Sequence, residues 1–176
     1  MYPYRIVRKF ERKWGPKIGF NRRALGLEDL FAWAEALGGI PLEDHTVPLT
    51  AFFLYRHRPF ILYNPTQHPL NLVLSLGHEV GHLLFRHHET MFFRPHRANL
   101  WARNGDEKDA GVVGFLCWLP TRELKKFLRN PELEHPEALA RELATCDSEW
   151  PFLVKACEAR LRIWRGLQRI VKEVPK

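Results

Sequence analysis

The sequence predicts an α+β domain, mostly helical with one β-hairpin, on three observations. Apolar residues recur at spacings of three and four along several stretches, as on the buried face of a helix. Two aromatic-rich runs, AFFLY and PFILY, flank the short polar segment RHR, as strands flank a tight turn. No apolar run approaches the roughly 20 residues needed to cross a bilayer.

Taken in order, the first helix starts at Leu27 and carries Leu30, Phe31, Ala34 and Leu37 on one side; Gly38 and Gly39 follow where a C-terminal cap sits. Strands over Ala51–Tyr55 and Pro59–Tyr63 come next and end at the turn signal Asn64-Pro65. A second long helix runs from Leu72 to about Arg86, with Leu72, Leu76, Val80, Leu83 and Leu84 as its apolar positions. After an irregular basic loop containing Pro95, a third helix is expected from Asp106, as N-cap, to Leu119, with Pro120 ending it. Thr121 then caps a short helix, and Trp150 to about Val171 forms a long amphipathic one. That last helix sets Leu153, Cys157, Leu161, Trp164, Leu167 and Val171 against Lys155, Arg162, Arg165, Arg169 and Lys172.

At 176 residues the chain fits a single domain, 1–176, with a motif-bearing core over about 27–120 and a helical part over 121–176. Its 45% hydrophobic and 27% charged residues disfavour the disordered and membrane classes. The net charge of +7 favours acidic partners, although solvated arginine-rich faces are the ordinary source of such an excess. Cys117, Cys146 and Cys157 form no C-x-x-C pair, which argues against a disulfide framework or a cysteine-based zinc site and for reduced thiols in a cytoplasmic protein. The first residues, MYPYRIVRKFERKW, lack the apolar run of a secretory signal, so a soluble protein without membrane attachment is expected.

His78-Glu79-Val80-Gly81-His82 is an H-E-x-x-H sequence in the middle of the second helix. Residues four apart on a helix share a face at about 6 Å along the axis, so both imidazoles reach one ion. Two histidines beside a glutamate on one helix suit tetrahedral zinc best. Glu79 is rotated about 100° from His78, beside the metal face, where its carboxylate can take a proton from an attacking water as general base. The chemistry expected is hydrolysis, most naturally of a peptide bond. A catalytic zinc ordinarily has three protein ligands, and His87, His88, His96, Asp106, Glu107, Asp109 and His135 are the downstream candidates for the third. His87 and His88 do not share the His78/His82 face. Asp109 opens the apolar stretch Val112, Val113, Leu116 and Leu119, whose burial can aim its carboxylate inward. Tyr63, Arg94 and His96 are strand-end or loop candidates for stabilising an oxyanion.

HEVGHLL and EKDAGVVGFLCWLP together resemble the paired motifs of the ImmA/IrrE family of metallopeptidases, an H-E-x-G-H helix and a later acidic-Ala-Asn helix ending before proline. LFAWAEALGGIPL, FILYN and CEARL are similar to the family's leading helix, its strand ending in asparagine and its closing helix. The resemblance covers roughly Leu27 to Pro120. It departs at Gly111, where the family has asparagine, and at Gly114-Phe115, where it has small residues. It implies a zincin-like fold with helices on a small twisted sheet, metal ligands His78, His82 and Asp109, with Asp109 preferred to Glu107, and Glu79 as base. It further implies cleavage of a regulatory protein, often a helix-turn-helix repressor, in stress responses or the induction of mobile elements, with an edge strand receiving the cleaved segment. Two other readings stand beside it: a metal-binding regulatory module with little hydrolysis, and a DNA-binding regulator using the basic C-terminal helix.

Overall fold

The computed structural model describes residues 2–48, 50–85, 105–146 and 150–173. Its elements are α1 (Tyr2–Ile18), α2 (Leu27–Ala36), β1 (Ile40–Glu43), β2 (Ala51–Tyr55), β3 (Arg58–Tyr63), α3 (Pro69–Phe85), α4 (Gly105–Trp118), α5 (Thr121–Phe127), a 3-10 turn (Pro131–Glu134), α6 (Pro136–Leu143) and α7 (Trp150–Glu173). The class is α+β, mostly helical with a three-stranded mixed sheet.

The sheet has the order β1-β3-β2, with β3 in the middle, parallel to β1 and antiparallel to β2. Tyr55 pairs with Arg58, so the hairpin loop is only Arg56-His57, both in the left-handed region at φ 48° and 64°. A two-residue loop demands that conformation to match the strand twist, and here residues other than Asn-Gly supply it. Phe53 and Phe60 stack across the same pair of strands at 5.2 Å. At the far end of β3, Asn64 Nδ2 donates to the carbonyls of His45 and Val47, both at 3.0 Å, while its Oδ1 accepts from the backbone N–H and hydroxyl of Thr66. The strand-ending asparagine therefore pins the loop after β1 to the turn that leads into α3.

α2 ends where its glycines allow: Gly38 takes φ 87°, and the N–H of Gly39 reaches back to the Ala34 carbonyl at 2.8 Å. Trp33 is fully buried, with Phe20 at 5.0 Å and Trp14 of α1 at 5.8 Å. One core gathers these rings with Leu30, Ile61, Leu74, Leu76, Val80, Val113, Phe115 and Leu116. A second, formed by Leu119, Leu124, Leu139, Leu153, Cys157 and Leu161, binds α5, α6 and α7 together. The Ser75 and Thr50 hydroxyls meet at 2.9 Å and hold α3 against the start of β2.

Two expected caps are different in the structure. Asp106 lies in the first turn of α4 rather than before it, because Gly105 at φ 69° starts the helix one residue earlier. Thr121 is the first residue of α5, not its cap; Asn21 supplies the missing acceptor from a distant part of the chain, its Oδ1 taking the Thr121 N–H at 2.7 Å. Arg160 of α7 is fully buried and donates to the Leu119 carbonyl at 2.6 Å and to the Thr121 hydroxyl at 3.2 Å, so it clamps α7 to the α4–α5 junction. Burial pushes its guanidinium down to about 9. Cys117 and Cys157 are buried thiols outside any disulfide, raised by desolvation, and Cys146 is exposed.

Candidate metal centre

α3 and α4 cross at unusually short range, and glycine makes that possible. A Cβ built on Gly81 would meet Ala110 Cα at 2.7 Å and its carbonyl oxygen at 2.8 Å; one on Gly77 would meet Gly114 Cα at 2.9 Å; one on Gly114 would meet the Leu74 carbonyl oxygen at 2.6 Å. Gly81 faces Ala110 and Gly77 faces Gly114, so the two helices run antiparallel with their backbones in contact. No side chain separates them over these turns.

His78, Glu79 and His82 all lie in the buried part of α3 and form a cluster that can hold a metal ion, their ligand atoms within 4.8 Å of one another. The two Nε2 atoms stand 3.0 Å apart with the rings nearly perpendicular. Across the helix contact, Glu107 of α4 places Oε2 at 3.2 Å from His78 Nε2 and Oε1 at 3.5 Å from His82 Nε2. Ligand atoms set tetrahedrally around zinc at bonds of about 2.0–2.1 Å stand about 3.3 Å apart. The observed 3.0, 3.2 and 3.5 Å match that spacing. His78 Nδ1 is buried and finds no hydrogen-bond partner among the described residues.

Glu107 was one of several candidates in the sequence, where the resemblance preferred Asp109. The structure places Glu107 at the imidazoles. Asp109 lies half-buried two residues further along α4, about 200° around the helix from Glu107. A signal for Glu107 was present: Ala110 and Gly114 follow it by three and seven residues, so the small residues that let α4 touch α3 share its face. Of the other candidates, Asp106 and His135 are exposed, and His135 sits at the N-terminal boundary of α6. Tyr63 donates its hydroxyl to Glu43 at 3.4 Å on the neighbouring strand; burial, then the charge of Glu43, raises it above the ordinary tyrosine range. His87, His88, His96 and Arg94 lie outside the described residues. No helix among the described residues is long and apolar enough to cross a membrane. The chain matches no protein-family model, no curated protein and no solved structure, so its reading rests on this buried His-Glu-x-x-His helix and the carboxylate that faces it.

Proposed function

We propose that the chain is a zinc-dependent peptidase of zincin-like fold, with His78, His82 and Glu107 as metal ligands and Glu79 as general base. The observation that carries this reading is the convergence of two imidazole Nε2 atoms and one carboxylate at tetrahedral ligand spacing, on two helices packed backbone to backbone. Glu107 takes the place that the family resemblance gave to Asp109. When bound, zinc supplies a Lewis acid that brings the pKa of water near neutrality and polarises a carbonyl.

The remaining work belongs to the protein's own side chains. His78 and His82 hold their lone pairs on one point because a single helical turn fixes both rings. Glu79 is 4% exposed and lies beside that point, so its carboxylate takes the proton from an attacking water and returns it to the departing amine. The closely packed α3–α4 pair keeps the ligands rigid through the reaction. A peptide bond in a regulatory protein, such as a helix-turn-helix repressor, is the proposed substrate, and an edge strand of the sheet can receive its extended segment by strand addition.

Zinc-loaded protein incubated with a diverse peptide library, with new N-termini identified by mass spectrometry, is expected to show cleavage that disappears after chelation and returns with zinc. Cleavage that survives complete metal removal would refute the zinc-dependent reading. No cleavage by protein carrying one zinc per chain would leave a metal-binding regulatory module instead.

A further inference from the structure

The net charge of +7 is distributed very unevenly. Residues 1–23 hold eight basic side chains and one acidic, a net of +7; residues 150–176 hold seven basic and two acidic, a net of +5. Everything between them, the metal centre included, holds twelve basic and seventeen acidic residues, a net of −5. The basic excess therefore belongs to α1, α7 and the residues beside them, and these two helices pack against each other.

On α1, Arg8, Lys9, Arg12, Lys13 and Lys17 are all exposed and fall within an arc of about 180° at 100° per residue. The opposite arc carries Val7, Phe10, Trp14 and Ile18 into the core, where Phe10 meets Phe85 at 5.3 Å. On α7, Lys155, Arg165 and Arg169 are exposed and Arg162 partly so, while the neighbouring Arg160 is the buried clamp. Lys155, Arg162, Arg165 and Arg169 of the C-terminal basic stripe thus lie at the surface, and α1 adds a second stripe.

We infer that the basic layer of α1 and α7 docks on the phosphate backbone of double-stranded DNA, independently of base sequence. The charge complementarity is direct: duplex DNA presents one negative charge per about 1.7 Å, and arginine forks pair with phosphate oxygens. A lipid surface fits less well. An interfacial helix inserts an apolar face, and the described apolar side chains of α1 are committed to the protein core. The large exposed hydrophobics among the described residues are Leu42 and Tyr55, on β1 and β2. The inference does not depend on the metal or on hydrolysis.

The test measures binding of the full chain to a mixed-sequence DNA duplex by fluorescence anisotropy over a salt series, with phosphatidylserine-containing phosphatidylcholine vesicles in parallel. Wild type is expected to bind DNA with a log–log salt slope of about −3 or steeper. Replacing Arg8, Lys9, Arg12 and Lys13 together by glutamine is expected to weaken binding about tenfold or more at low salt and to flatten that slope. A control replacing the exposed Arg56, Arg58, Arg129 and Arg141 by glutamine removes the same formal charge from elsewhere and is expected to bind nearly as wild type. Circular dichroism confirms that both variants are folded. Equal losses in the two variants would reduce the effect to net charge and overturn the inference, as would an α1 variant that binds as wild type. Vesicle binding without DNA binding would reassign the layer to a membrane surface.

Discussion

Glu79→Gln is expected to lower peptide hydrolysis by about 10²- to 10⁴-fold while zinc content stays unchanged. Glutamine keeps the shape and the hydrogen-bonding reach of glutamate but cannot accept a proton at neutral pH. Glu79 sits on α3 between the two histidines, so the substitution leaves both imidazoles and Glu107 in place. Its burial to 4% exposure means that bulk water has little access to stand in for the lost base. Hydrolysis rates on a peptide identified by library cleavage, measured with elemental analysis of the same preparation, check the outcome. Retained activity would place the base elsewhere, and lost zinc would show that Glu79 serves the metal instead.

Gly81→Ala is expected to destabilise the fold by about 3 kcal/mol and to weaken zinc binding as well. The sign is informative. In an exposed helix interior the same change stabilises by about 1 kcal/mol, because alanine is the better helix former. Here the new methyl would stand 2.7 Å from Ala110 Cα and 2.8 Å from its carbonyl oxygen, both backbone atoms that cannot rotate away. α4 must shift, and Glu107 shifts with it, one helical turn before Ala110. A urea-unfolding midpoint and a zinc affinity measured on one sample test the coupling. A stabilised Gly81→Ala protein with unchanged zinc affinity would mean that the α3–α4 contact is looser than the structure shows.

Much of this arrangement was legible from local pattern. α3 declared itself because Leu72, Leu76 and Val80 repeat at helical spacing, and its histidines then fell on one face at once. β2, β3 and α7 were equally plain. α1 was not, although Val7, Phe10, Trp14 and Ile18 keep helical spacing, because basic residues and Pro16 dominate the segment and its apolar face gains meaning only against Trp33 and Phe85. β1 is four residues long and half-exposed, and its identity comes from pairing with β3. Arg160 stood in the sequence only as part of CEARL, with no partner marked for it; the packing of α7 on the α4–α5 junction buries it. For the third metal ligand, motif resemblance and helix packing point to acids two residues apart. Motif resemblance pointed to the acid next to Ala110, whereas the tightly packed face of α4 runs through Glu107, Ala110 and Gly114.

Zinc stoichiometry decides the central claim most directly. After removal of loosely bound ions, elemental analysis of wild type is expected to give about one zinc per chain, with loss or sharp reduction in His82→Ala and Glu107→Gln and near-wild-type content in Asp109→Asn. Wild type that holds no zinc even after loading would contradict the metal centre itself. Zinc lost from Asp109→Asn but kept by Glu107→Gln would contradict the ligand set and return the third position to Asp109.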